Sequence, residues 1–256
     1  MINPRVHKAI ILAAGRGSRL MPFTEDSPKC LVRVGQYPIL FYQLKSLEKV
    51  GVTNITIVTG YYANKIKAYT AESFPHLKIN FVNNPQYAET DDMYSLYLAK
   101  EEWRENSIHI NSDVLFHPAL LTKLISSNNS SICVQKRTCG EEEMKACVLD
   151  DGRVSKLSKE VAPASAIGES MGLYLLYKNF SDELLKAIES LIRSNRFKEN
   201  RSAAINAILS NGIPLYSIDV TEYPAVEIDF PEDLEYANEV VLPKIIDDIL
   251  ATYINE

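Results

Sequence analysis

Two glycines, a serine and two arginines lie in one short loop near the start of the chain, directly after an apolar run. Residues 13–20 read AAGRGSRL. Small residues allow backbone N–H groups to approach phosphate oxygens closely, and arginine neutralises phosphate charge. The loop therefore predicts a site for a phosphorylated ligand.

The loop fits neither of two common phosphate-binding patterns. A Walker A loop ends in Gly-Lys-Ser/Thr, and no Lys-Ser or Lys-Thr follows here. A Rossmann fingerprint needs a third glycine and a helix that starts inside the loop, but Leu20 and Pro22 stand there. A turn without any ligand is the alternative, and it would not explain two arginines beside two glycines.

Acidic residues follow two predicted strands further along the chain. Asp113 comes just after Ser107–Asn111, and Asp229 comes after a short strand at Ala225–Ile228. Mg²⁺ is typically bound by one or two carboxylates together with substrate phosphates. Asp113 is therefore a candidate metal ligand, with a turn or N-cap role as the alternative. Alternation along the second strand puts Glu227 on the same face as Asp229.

These residues must be positioned by alternating strands and helices, which is typical of an α/β fold with a mainly parallel sheet. In the first half, the predicted strands are Lys8–Ala13, Asn54–Thr59, Lys78–Val82 and Ser107–Asn111, and the predicted helices are 38–51, Tyr62–Glu72, Asp92–Trp103 and Pro118–Ser126. In the second half, the predicted strands are Ser131–Lys136, Lys145–Leu149, Val154–Leu157, Gly168–Tyr177, Leu215–Ile218 and Ala225–Ile228, and the predicted helices are Ser181–Ser194, Arg201–Ser210 and a long one from Pro231. The closely spaced later strands predict a mixed sheet, and no linker divides residues 1–256 into two domains.

Composition excludes several classes of protein. A net charge of −6 argues against a protein that coats nucleic acid or an anionic membrane. No apolar run approaches the ~18 residues that a membrane span needs. The four cysteines form no CxxC pair, which favours a reduced, cytoplasmic setting over a zinc site.

The glycine loop resembles that of the nucleotidyltransferases that make NDP-sugars and CDP-alcohols. Their pattern is L-A-A-G-x-G-[ST]-R-[LM] followed by P-K, and the chain has it in residues 12–20 and in Pro28-Lys29. The resemblance implies a Rossmann-like three-layer sandwich, the nucleotide-diphospho-sugar transferase fold. It also implies a single domain with a nucleotide-binding half at about 6–130 and an acceptor-binding half at about 131–256.

The resemblance also implies roles for individual residues. Arg19 and Lys29 would neutralise the triphosphate as pyrophosphate leaves, and Lys159 would hold the acceptor phosphate. Glu169 would form a hydrogen bond with the acceptor, while Asp113 and Asp229 would hold Mg²⁺. The nucleotide would be bound by the loop residues Leu12, Ala13, Ala14, Gly15, Gly17 and Ser18.

Residues 83–99 resemble the N-P-x-Y-x-x-T-[ND]-N-x-x-S-L segment of the branch that uses CTP, which includes phosphocholine and 2-aminoethylphosphonate cytidylyltransferases. The implied nucleotide contacts are Asn84, Tyr87, Thr90, Asp91 and Ser95. Two residues depart from the family pattern. Asp92 replaces an asparagine, and Asn111 replaces the first acid of a D-x-D pair. A capped helix that begins at position 91 or 92 is the simpler alternative for this segment.

The leading hypothesis is a Mg²⁺-dependent nucleotidyltransferase that transfers CMP from CTP to a small phosphorylated alcohol, amine or phosphonate and releases pyrophosphate. One alternative is a sugar-1-phosphate nucleotidyltransferase that uses UTP, dTTP or GTP. A second is a non-catalytic paralogue that senses nucleotides. No nucleic acid and no membrane are expected as partners, and the sequence leaves a homodimer open.

Overall fold

The computed structural model describes residues 6–251. Its strands are β1 (Lys8–Ala13), β2 (Arg33–Val34), β3 (Tyr37–Pro38), β4 (Asn54–Thr59), β5 (Lys78–Asn83), β6 (Ser107–Asn111), β7 (Val114–Phe116), β8 (Ser131–Gln135), β9 (Lys145–Val148), β10 (Val154–Ser158), β11 (Gly168–Leu176), β12 (Tyr216–Asp219) and β13 (Ala225–Glu227). Its α-helices are α1 (Ile39–Lys49), α2 (Ala63–Ser73), α3 (Asp92–Leu98), α4 (Ala119–Ile125), α5 (Lys178–Arg193), α6 (Arg201–Ser210), α7 (Pro231–Tyr236) and α8 (Leu242–Leu250).

The central sheet has the strand order β10-β9-β11-β6-β1-β4-β5, with β8 pairing β11 and β12. Strands β6, β1, β4 and β5 run parallel. After Lys8, strand β1 is apolar and buried, because both its faces are covered, as is usual in parallel sheets. Its carboxyl end, where the glycine loop begins, therefore lies beside the carboxyl ends of β4 and β6.

Strand β11 connects the two halves of the sheet. It runs antiparallel to β6, β8 and β9, and all nine of its residues are buried. Its register with β8 shifts between Ser170 and Tyr174. Gly172, inside this shift, has φ +65°, and a Cβ there would lie 2.7 Å from the side-chain nitrogen of Asn111. A glycine is therefore required where β11 passes the end of β6.

Helices cover both faces of the sheet, which confirms the predicted three-layer architecture with a mixed central sheet. One apolar cluster packs α1, α4 and α8 against the first face. A second cluster packs α3, α5 and α6 against the other face. Strand β1 contributes Ile11 to the first cluster and Ile10 to the second, as expected from alternation along a strand.

The structure differs from the prediction in a few elements. The helix from Pro231 is interrupted by a π-helical turn at Ala237–Val241, because Pro243 has no N–H to continue the α-helical bonding. The helix from Asp92 ends at Leu98 and not at Trp103. Strands β2, β3 and β7 have only two or three residues, too few to give a periodic signal. Within residues 6–251, no helix is both long and apolar enough to cross a membrane.

The packing of β11 against its neighbours predicts different costs for two glycine substitutions. An added Cβ at Gly168 would lie 2.1 Å from the carbonyl oxygen of Gln135, whereas Gly212, at φ +82°, has open space around it. We expect Gly168→Ala to lower the free energy of unfolding by about 3 kcal/mol and Gly212→Ala by only about 1 kcal/mol. Urea denaturation of both variants measures these costs, and equal losses would contradict the tight β11 packing.

Candidate active site

A cleft of about 870 Å³ opens at the carboxyl ends of the parallel strands. This is where ligands bind in open α/β sheets, and the volume suits a nucleotide-sized ligand. The predicted site residues that line it are Leu12, Ala14, Gly15, Gly17, Ser18, Arg19, Lys29, Tyr87, Thr90, Asp91, Ser95, Asp113, Lys159 and Asp229. The fold thus brings together most of the residues that the sequence singled out.

The glycine loop folds tightly over the side chain of Lys29. Gly17 has φ +66°, and a Cβ there would lie 3.0 Å from Lys29 carbons. The Gly17 carbonyl accepts hydrogen bonds from the Leu20 N–H at 3.0 Å and from the Thr24 hydroxyl at 2.8 Å. At Gly15, by contrast, an added Cβ would have no atom within 4 Å, so the backbone there is accessible from the cleft.

Lys29 joins the two aspartates beneath this loop. Its ammonium donates to Asp113 Oδ2 at 2.8 Å and to Asp229 Oδ1, and its side chain is 9% exposed. Burial alone would lower the pKa of Lys29, but the two carboxylates raise it above its ordinary value. Burial would likewise raise the pKa of Asp229, but Lys29 and Arg19 outweigh this effect and lower it. Lys29 and Asp229 are therefore both charged at neutral pH.

Backbone hydrogen bonds fix the spacing of the two aspartates. Strand β13 pairs antiparallel with β7, and the Ile228 N–H donates to the Asp113 carbonyl at 3.0 Å. The Asp233 carboxylate then accepts from the N–H groups of Asp229 and Phe230 at the start of α7. The side chain of Asp229 is thus held at a defined position between a strand and a helix.

Two further carboxylates lie around this cluster. Glu227 is partly buried near Asp113 and Asp229, and this burial together with the two negative charges raises its pKa well above the ordinary value. Arg19 donates to Asp229 Oδ2 at 2.5 Å and to Glu142 at 2.7 Å. Glu142 also lies 3.7 Å from the ammonium of Lys159. Glu142 therefore lies between the two cations, Arg19 and Lys159, that are expected to contact phosphate.

Three predicted site residues do not line the cleft. Asn84 is buried and donates to Thr90 Oγ1 at 3.1 Å and to Ser95 Oγ at 3.0 Å, so it orients two residues that do line it. Glu169 pairs with Arg137 at 2.5 Å, and its neighbour Ser170 lines the cleft instead. Ala13 is buried at the end of β1. Direct ligand contacts of these three residues stay predictions.

The start of α3 shows why its segment is polar. Asp91 is the N-cap and accepts from the Asp92 N–H at 2.6 Å, as the simpler alternative for this segment expects. Asp91, Thr90 and Tyr87 nevertheless line the cleft. A capping role and a ligand contact are thus compatible in this segment.

The described residues offer a limited set of metal ligands. Within residues 6–251, no three or more His, Cys, Asp or Glu side chains are grouped to hold an ion by themselves. Asp113 and Asp229 are two hard oxygen donors that face the cleft, and Asp113 Oδ1 is buried without a hydrogen-bond partner. Two carboxylates, one of which has an oxygen without a hydrogen-bond partner, fit a Mg²⁺ ion that takes its remaining ligands from phosphates and water.

Sequence patterns missed several residues of the site. Arg201 lines the cleft from the first turn of α6, and Glu142, in the loop before β9, pairs with Arg19, which also lines it. Neither belongs to a recognisable motif. Glu227 was detectable only from its alternation with Asp229.

Comparison with known proteins identifies the family. Residues 8–223 match the family model described as Nucleotidyl transferase. The chain belongs to this family. The match covers β1 with its glycine loop and extends through β12, so the nucleotidyl transferase pattern spans most of the central sheet.

Similar members of the nucleotidyl transferase family include cytidylyltransferases. Choline-phosphate cytidylyltransferase of Streptococcus pneumoniae is 44% identical over 110 residues, which are 41% of this chain and 44% of that protein. CTP:phosphoglutamine cytidylyltransferase of Campylobacter jejuni is 28% identical over 251 residues, which are 89% of this chain and 97% of that protein. The solved structure of CTP:phosphocholine cytidylyltransferase from S. pneumoniae has a TM-score of 0.79 and 27% identity, covering 92% of this chain and 99% of that one.

The cation between the two aspartates predicts a pH-dependent stability effect. Lys29→Met leaves Asp113 without its counter-charge and Asp229 with Arg19 alone, and we expect it to lower the free energy of unfolding by about 3 kcal/mol at neutral pH. Because the pKa of Asp229 is lowered in the folded protein, its contribution is present at neutral pH and is lost as the pH falls below about 4. The difference from wild type should therefore shrink on acidification.

Urea denaturation across this pH range measures the difference. Lys186→Met is the matched control, since the Lys186 side chain is 69% exposed and pairs with Glu183 at the surface of α5. We expect this control to match wild type throughout. A loss in Lys29→Met that stays constant from neutral to acid pH would contradict the ion-pair assignment.

Proposed function

We propose that this chain is a Mg²⁺-dependent cytidylyltransferase that transfers CMP from CTP to a small phosphorylated alcohol or amine, or to a phosphonate. The observation that carries this proposal is the contact of Lys29 with both Asp113 and Asp229 beneath the glycine loop. Cations, carboxylates and accessible backbone then converge where a triphosphate would lie. The choice of CTP is supported by the names of several of the similar proteins, which are cytidylyltransferases.

The reaction joins two anions, so the site must hold them against their mutual repulsion. An oxygen of the acceptor attacks the α-phosphorus, and the bond to the leaving pyrophosphate breaks. The backbone of the glycine loop would bind the phosphates, and Arg19 and Lys29 would neutralise the charge of the leaving group. Lys159, which also lines the cleft, would hold the acceptor phosphate.

The metal would be held by Asp113 and Asp229. When bound, Mg²⁺ would neutralise phosphate charge and stabilise the negative charge that develops in the transition state. Lys29 holds the two carboxylates in place before any ligand binds, so neither side chain has to become ordered on binding. This preorganisation lowers the cost of assembling the site.

No side chain needs to remove a proton from the acceptor, because a phosphate or phosphonate oxygen is already ionised at neutral pH. The buried histidine of the central sheet agrees with this chemistry. His109 is buried in β6, and burial lowers its pKa to about 3. A neutral histidine held by Ser107 in the sheet serves packing and not acid–base catalysis.

The metal assignment predicts the loss of activity in two variants. Asp113→Asn and Asp229→Asn should each lower the rate of CTP-dependent pyrophosphate release at least about 10²-fold, because an amide oxygen is a weaker Mg²⁺ ligand than a carboxylate. Pyrophosphate release and circular dichroism are measured on the same samples to separate activity from folding. Asp182→Asn, an exposed residue of α5 paired with Lys178, is the control and should keep full activity. Full activity in both site variants would overturn the metal assignment.

The proposal that CTP is the nucleotide donor predicts the result of a substrate screen. CTP, UTP, dTTP and GTP are each combined with phosphocholine, 2-aminoethylphosphonate and several sugar 1-phosphates, with Mg²⁺ present, and pyrophosphate is measured. We expect release with CTP and a phosphorylated amine, alcohol or phosphonate. Release only with a sugar 1-phosphate and another nucleotide would favour the sugar alternative. Thermal stabilisation by CTP without any release would favour a nucleotide-sensing protein.

A further inference from the structure

A charged group that the proposed reaction does not use lies at the floor of the cleft. Arg201, in the first turn of α6, lines the cleft and is 2% exposed. Its Nε donates to Asp92 Oδ2 at 2.7 Å, and its Nη2 donates to Asn111 Oδ1. The guanidinium also lies 4.6 Å from the centre of the Tyr174 ring. One side chain thus contacts α3, β6 and β11.

Asp92 neutralises this arginine and connects two helices. Its Oδ1 accepts from the backbone N–H of Arg201 at 2.7 Å, at the start of α6, while Asp92 itself is the first residue of α3. Negative charge is favourable near the first turn of a helix. A buried guanidinium needs a counter-charge, and Asp92 is the carboxylate that pairs with it in the described structure.

Asn111 is oriented by the same arginine. Its carbonyl oxygen accepts from Arg201, so its NH₂ group is turned toward Glu227 Oε1, 3.5 Å away. The side chain of Asn111 also packs against Gly172, where no Cβ could be accommodated. The carboxamide therefore has one orientation, and its oxygen is not free to bind a metal beside Asp113.

These contacts connect the two departures from the family pattern at positions 92 and 111. Arg201, between these two positions, needs one carboxylate to neutralise its charge. Asp92 supplies it, so position 111 can carry a neutral amide. We propose that Arg201, neutralised by Asp92, is a positioning residue that fixes the Asn111 carboxamide at the floor of the cleft. This inference rests on the proposed function, because it places the carboxamide beside the reacting groups.

The test separates the charge of the pair from its positioning role. Asp92→Asn alone leaves the guanidinium buried without a counter-charge, so the Tm should fall by roughly 10 °C. The double variant Asp92→Asn/Arg201→Gln removes both charges together, and its Tm should return close to the wild-type value. Arg104→Gln, which breaks an exposed pair with Glu101, is the control and should leave the Tm unchanged.

Two readouts then report on Asn111. The first is its side-chain amide signal in a ¹H–¹⁵N correlation spectrum, identified by its absence in Asn111→Asp. In the double variant this signal should shift or broaden although the Tm is restored. The second is kcat/KM for CTP-dependent pyrophosphate release, which should stay lower by about 10²-fold, because small misplacements at a reacting centre cost this much.

Recovery of both the amide signal and kcat/KM together with the Tm would show that the pair is only structural, and would overturn the proposal. An unchanged Tm in Asp92→Asn would overturn it as well. The Tm and the amide signal need no substrate. If the wild type releases no pyrophosphate with any nucleotide, the proposed function fails, while these two measurements still decide the positioning of Asn111.

Discussion

The shared contact of Lys29 with Asp113 and Asp229 is the interaction on which the rest of the site depends. The three residues come from distant parts of the chain, and none of their charges would be stable alone at this depth. The glycine loop is shaped around the lysine, because a side chain at Gly17 would collide with it. The antiparallel pairing of β7 with β13 fixes the positions of both carboxylates. Local structure in three segments therefore follows from one buried charge cluster.

A second group of buried charges lies on the other side of the cleft floor. Asp92 and Arg201 hold the N-terminal ends of α3 and α6 together, and Asn111 links this pair to Glu227. The two groups meet at β6, whose last residue is Asn111 and which is followed almost at once by Asp113. The positions of α3 and α6 are thus connected with the geometry of the carboxylates through a few polar contacts. An apolar core alone would not fix the positions of these helices relative to the carboxylates as precisely.

The sequence was informative where a pattern repeats or where several residues form one motif. The buried strands, the glycine loop and the carboxylates after β6 and β13 could all be predicted, because each depends on local residue types. The contacts of Arg201 with Asp92 and of Arg19 with Glu142 join residues far apart in the chain, and no local pattern encodes them. The π-helical turn escaped prediction for a different reason, since hydrophobic periodicity does not register how Pro243 alters the bonding of the turn before it.

Glu142 has a consequence for how substrates enter. Its carboxylate is 61% exposed and lies between Arg19 and Lys159, so these cations are not bare in the free protein. Exposed ion pairs contribute little to stability and exchange partners readily. With the proposed function, the arrival of a triphosphate would exchange one anion for another, so binding would neutralise less positive charge than a count of the basic residues suggests. The cleft can admit a highly charged substrate without first tolerating a concentrated, unpaired positive charge.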